Sequence, residues 1–191
     1  MLVIKNNVTT RIEINKSIFI TKLIKVNSLE QIKLELQAVK KEYKDATHYC
    51  YGYIIDNYQK SSDDSEPNGT AGIPIMEVLL KNNLTNILCI VIRYFGGIKL
   101  GSGGLIRAYS KSVTTAINNA IVTSLIDGYI LKIKSSYKSQ KMLEQIIKDY
   151  HFDKEYDEEI EYIIYADSKL LNKLKECNIK FEIKEKTKIE L

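Results

Sequence analysis

Three groups of residues in this sequence have types and spacings suited to chemistry at neutral pH. Asp63, Asp64 and Glu66 place three carboxylates within four positions. Such a group could hold a hard cation such as Mg2+, which commonly bridges carboxylates to substrate phosphates, or could accept hydrogen bonds from arginines. The same residues also suit a solvated acidic turn in which an Asp caps a helix. Further along, Arg93, Lys99 and Arg107 flank Gly96, Gly97, Gly101, Gly103 and Gly104. Glycine lets the backbone approach a ligand, and a loop opening into a helix offers unpaired N–H groups and the positive end of the helix dipole. Phosphate or carboxylate would suit that position, although glycines can equally serve tight turns with positive φ.

The third group is centred on His48, whose reference pKa of about 6.5 suits a general base or a proton switch. A half-buried structural histidine is the alternative. Cys50, two residues on in the same predicted strand, would share its face. Tyr49, Tyr51 and Tyr53 alternate on the other face, either as an aromatic platform for bases or as ordinary sheet core. His151, beside Phe152, fits a surface or helix-end position. Known phosphate-binding motifs do not fit. Gly96 to Gly101 has the P-loop spacing but Ser102 stands where lysine is needed, and a dinucleotide fingerprint starting at Gly101 and Gly103 would need glycine at Ile106.

The elements that must hold these groups follow from hydrophobic spacing. Ile12, Ile14, Ile18, Ile20 and Ile24 alternate around Asn15-Lys16-Ser17, which predicts a hairpin. Ser28 precedes Leu29, Ile32, Leu36 and Val39 at helical spacing, predicting an N-capped helix to about Tyr43. A strand is predicted over 48–56, a surface loop over 57–68, a short helix over 72–80 and a doubly buried strand over 86–94. The glycine loop and a helix over 105–120 come next. Beyond Asp127-Gly128 the pattern resets to strand 129–133, helix 140–150, strands 152–156 and 160–165, helix 169–177 and strand 179–189. That βαββαβ order predicts a ferredoxin-like domain. The expected organisation is α+β, with domains at 1–126 and 127–191.

A chain of 191 residues with 45% hydrophobic and 27% charged residues has a globular composition, not a disordered or fibrous one. No apolar run is long enough to cross a bilayer and Met1 to Lys25 shows no signal-peptide pattern, so no membrane association and a cytoplasmic location are expected. Cys50, Cys89 and Cys177 lie far apart, which disfavours a disulfide framework or a cysteine zinc site. No cofactor is expected apart from the Mg2+ that the acidic group could hold. The net charge of +4 lies in residues 1–127, with fifteen Lys/Arg against eleven Asp/Glu. It biases the surface toward polyanions only weakly.

In sequence register, Ala46-Thr47-His48-Tyr49-Cys50, the stretch from Ser62 to Gly72 and the stretch from Arg93 to Tyr109 closely resemble the YigZ/IMPACT family, in its bacterial two-domain form. Ser65 departs from the family's usual glycine, and Asn68 from its usual small residue. The resemblance implies an N-terminal domain like the second domain of a ribosomal small-subunit protein and a C-terminal domain like the last domain of elongation factor G. It also implies a translation-linked regulatory or binding role, since eukaryotic relatives regulate translation initiation. Ribosome, RNA or a translation-associated protein are the partners so implied, and the glycine-rich loop and helix from Gly96 to Tyr109 would engage RNA phosphate or an acidic partner. A Mg-dependent enzyme on a small phosphorylated or nucleotide substrate, using His48, Asp63, Asp64 and Glu66, is one alternative. A pure protein-interaction module is the other.

Overall fold

The computed structural model describes residues 1–190 and divides the chain into two compact mixed α/β units, Met1–Thr123 and Ser124 onward. The division falls three residues before the expected one. Asp127-Gly128, read from sequence as the resetting point, lies inside strand β7 (Val122–Ser135), which starts seven residues earlier than predicted.

In the first unit, a short strand β1 (Leu2–Ile4) precedes β2 (Val8–Ile14) and β3 (Ser17–Lys25). These last two pair through a two-residue turn in which Asn15 and Lys16 both take positive φ, as a tight hairpin requires. Helix α1 (Leu29–Glu42) follows. Ser28 Oγ accepts from the Gln31 N–H at 3.1 Å while Gln31 Oε1 accepts from the Asn27 N–H at 3.0 Å. Two otherwise orphaned donors are thereby satisfied, and Ser28→Ala should cost about 1 kcal/mol.

Strands β4 (His48–Ile55) and β5 (Tyr58–Ser62) form a second hairpin, and α2 (Gly72–Lys81), β6 (Ile87–Tyr94) and α3 (Gly101–Asn118) complete the layer. β5 occupies part of the predicted surface loop. It is an edge strand with an exposed first half, so its polar sequence carries no apolar alternation. The sheet order is β2-β3-β6-β4-β5, antiparallel throughout. β6 therefore lies at the centre. Leu88, Ile90 and Ile92 pack toward α1, whereas Ile87, Cys89 and Val91 pack toward α2 and α3. Burial on both faces explains its unbroken apolar run.

The second unit continues from β7 through α4 (Gln140–Ile147), β8 (Phe152–Tyr156), β9 (Ile160–Ala166), α5 (Ser168–Glu176) and β10 (Glu182–Glu190). Its strand order is β10-β7-β9-β8, again antiparallel. Leu131, Ile133, Tyr162, Ile164, Leu143, Leu170 and Leu174 form its separate core. Among the described residues, no helix is long and apolar enough to cross a membrane.

Candidate functional site

Strand register sets Phe19, Arg93 and His48 abreast across β3, β6 and β4. All three project to the sheet face covered by α2 and α3, because Phe19, Val91 and Cys50 on that face belong to the same core. Helix α3 supplies the opposite wall. Its buried positions Leu105, Ala108, Tyr109, Ser112, Val113 and Ala116 repeat at helical spacing and aim the Tyr109 hydroxyl at the sheet. The segment from Asp63 to Ala71 closes the third side.

The centre of the arrangement is Glu66. Its Oε1 accepts from Arg93 Nη1 at 2.5 Å and from the Tyr109 hydroxyl at 2.8 Å. Both members of the ion pair are buried, Arg93 at 5% and Glu66 at 8% exposure. The guanidinium lies 5.5 Å from the Phe19 ring centre and 5.6 Å from that of Phe95, so two aromatic rings replace the water it has lost. Arg93 Nη2 also donates to Ser17 Oγ at 3.4 Å.

His48 Nδ1 lies 2.8 Å from the Asp64 carbonyl oxygen. A carbonyl only accepts, so Nδ1 carries a proton. The other ring nitrogen, Nε2, stands 3.8 Å from Glu66 Oε2. Among the described residues, nothing donates a hydrogen bond to Glu66 Oε2.

The neighbouring carboxylates are occupied otherwise. Asp63 accepts from the Gly69 N–H at 2.9 Å through Oδ2, and from the Ala71 and Gly72 N–H groups at 2.9 and 2.8 Å through Oδ1. Burial alone would raise its pKa, but the three amides outweigh burial and hold it below the usual aspartate value. Asp64 Oδ2 accepts from the Tyr49 N–H at 2.6 Å. Thr70 is likewise turned inward, its hydroxyl donating to the Pro67 carbonyl at 2.6 Å. Asp63, Asp64 and Glu66 thus point to three different sets of partners, and among the described residues no three acidic, histidine or cysteine side chains are grouped to hold a metal ion. The three carboxylates that sequence offers as candidates for Mg2+ take separate partners in the fold. Backbone amides, those of Gly69, Ala71 and Gly72 for Asp63 and that of Tyr49 for Asp64, hold the first two carboxylates away from Glu66.

The single S–H of Cys50 is shared between the Asp63 carbonyl, 2.9 Å from Sγ, and the Tyr109 hydroxyl oxygen, 3.3 Å from it. Burial pushes this thiol up to about 12, which keeps it from acting as a nucleophile near neutral pH. Tyr49, Tyr51 and Tyr53 pack half-buried on the α1 face, away from this site. His151 lies in the second unit beside the Tyr165 ring.

A cleft of about 450 Å³ opens over Arg93, Glu66 and His48. Phe95, Pro67, Leu100 and Leu105 provide its apolar walls, and Lys99, Gly101 and Ser102 form its rim. α3 starts there without a capping side chain. The N–H groups of its first turn therefore lack intrahelical partners. Gly101 enters the helix at φ 71°, a conformation that favours glycine, and Gly103 and Gly104 follow within the first turn. They are helical residues, where sequence had placed them in a loop.

Gly96 has a different cause. A Cβ there would stand 2.0 Å from the Lys16 carbonyl carbon, so the close approach of the β2–β3 turn demands glycine. Gly97, with φ 81°, is exposed beyond it. Arg107 is exposed on α3 and does not line the cleft. Arg93 lines it, but its charge is engaged by Glu66. The fold thus places Glu66 of the acidic segment beside Arg93 in one cleft, and of the three cations singled out from sequence Lys99 stands at its rim. Tyr109, Phe19 and Ser17 were missed as parts of the site. Tyr109 had read only as one apolar position in a helical stripe, and its hydroxyl was the available signal.

Residues 15–117 match the Impact N-terminal domain, more than half of the chain. The chain belongs to the IMPACT family. The IMPACT family member YvyE of Bacillus subtilis (strain 168) is 39% identical over 185 residues, covering 91% of this chain and 85% of that protein. YigZ of Escherichia coli (strain K12) is 41% identical over 115 residues, covering 58% of this chain and 56% of its own length. A solved crystal structure of a hypothetical protein is 26% identical, covers 95% of each chain and superposes with a TM-score of 0.65.

Proposed function

We propose that this IMPACT-family chain is a translation-linked binding protein whose cleft receives a backbone phosphate of RNA at the open end of α3. The observation that carries the proposal is the uncapped first turn of α3 at the rim, beside Lys99. Unpaired helix amides and one free ammonium suit a single negative charge. The Arg93–Glu66 pair beneath them is neutral as a unit and serves as a floor. The link to translation is carried over from the family's eukaryotic relatives.

The domain architecture is part of the same proposal. A ferredoxin-like second domain is supported by the strand order β10-β7-β9-β8, in which β9 lies between the two strands joined through α4. The first domain is taken to share the fold of the second domain of a ribosomal small-subunit protein. A cytoplasmic site of action accords with such partners. The Mg-dependent reading has less support, because both oxygens of Asp63 and one of Asp64 accept from backbone amides.

Fluorescence anisotropy with a labelled single-stranded RNA, repeated across salt concentrations, tests the proposal. Affinity should fall steeply with salt, and Lys99→Ala should weaken binding and reduce the logarithmic salt slope by about one. Binding that ignores both salt and Lys99→Ala, or no RNA binding at all, would overturn it.

A further inference from the structure

The same cleft contains two hydrogen-bond acceptors that a phosphate cannot use. Glu66 Oε2 accepts no hydrogen bond, although the Glu66 side chain is only 3% exposed. His48 Nε2, 3.8 Å away, carries a lone pair whenever the ring is neutral, because the Asp64 carbonyl holds the proton at Nδ1. With no donor from the protein, this oxygen faces the cleft and is free to accept from a ligand, and two acceptors at that separation can share one O–H or N–H placed between them. Both residues line the cleft, with Lys99 and the first α3 amides at its rim. A ligand that presents a neutral donor next to a single negative charge suits these groups.

Resting on the proposed binding of RNA phosphate, we infer that Glu66 and His48 read a ribose 2′-hydroxyl, making the cleft selective for RNA over DNA. In an RNA strand the 2′-hydroxyl is the donor adjacent to a singly charged phosphodiester, and its absence is the chemical difference between the two nucleic acids. Phe95 gives this choice further support. Its ring is 46% exposed while stacking over the Arg93 guanidinium, which leaves an aromatic face available to an unpaired base. A cleft of about 450 Å³ is also of the size that encloses a small ligand, here one nucleotide.

The test compares one sequence in three forms, RNA, DNA and 2′-O-methyl RNA, binding to the unmodified protein at a fixed low salt concentration. RNA should bind about tenfold more tightly than either of the others, the effect of one hydrogen bond to a charged acceptor. His48→Ala should remove most of that preference while keeping the salt dependence. Because neither comparison strand alters the protein, a folding defect cannot mimic the result. Equal affinity for all three strands would overturn the inference and leave phosphate binding standing. Failure to bind any strand would overturn both, as would capture of a peptide through its terminal carboxylate in place of RNA.

Discussion

Glu66 Oε1 and Arg93 Nη1 meet 2.5 Å apart beneath the cleft, both buried, from positions 27 residues apart in the chain. Removing either partner leaves a largely buried charge without its counter-charge. Glu66→Ala and Arg93→Ala should each destabilise the protein by about 3–5 kcal/mol. The double replacement should cost less than the sum of the two, and a urea-denaturation mutant cycle measures the difference.

Tyr109→Phe should be milder. It removes one donor to Glu66 and one acceptor for the Cys50 thiol, and leaves the Arg93 contact intact. A loss of about 1–3 kcal/mol in the same denaturation assay is expected.

Asp63 ties the acidic segment to α2 through three amides, and its folded pKa lies below the unfolded value. A depressed carboxyl pKa stabilises the fold above the unfolded pKa of about 3.9, and the gain is lost as pH falls through the folded value. Thermal melts from pH 7 downward should therefore show an acid-dependent loss of stability that is smaller in Asp63→Asn. At pH 7 that variant should melt at a lower temperature than the unmodified protein.

Ser65 takes φ 70° immediately after Asp64 at φ 41°, so two successive residues with side chains occupy the left-handed region. Glycine has no Cβ to crowd the carbonyl there. Ser65→Gly should raise stability by roughly 0.5–1 kcal/mol, read as a higher melting temperature, with cleft binding unchanged.

The three thiols should differ sharply in reactivity. Cys177 is exposed, whereas Cys50 and Cys89 are buried, and burial holds Cys50 near 12 and raises Cys89 still further. A colorimetric thiol reagent should titrate one rapid group in the native protein and three after denaturation.

Much of this fold is legible in the residues themselves. The alternating isoleucines around Asn15-Lys16, the Ser28 cap and the unbroken apolar run of β6 each mark a local preference that the tertiary structure keeps. β5 was obscured because an edge strand needs little apolar alternation. The early start of β7 was obscured by Asp127-Gly128, which reads as a turn yet lies within the strand. At the site, composition identified the charged segments but could not assign partners. Whether Asp63 binds a cation or caps α2 depends on three amides several residues away, and whether Arg93 is free depends on where Glu66 comes to rest. These are consequences of chain packing that spacing alone does not encode.

The most direct test is an NMR titration of the 15N-labelled chain with a short single-stranded RNA, following the amides of Gly101, Ser102 and Gly103. Those three signals, together with the His48 ring, should shift most at low salt and return toward their free positions as salt is raised. Shifts concentrated elsewhere, with the start of α3 unmoved at saturating RNA, would contradict phosphate recognition in this cleft.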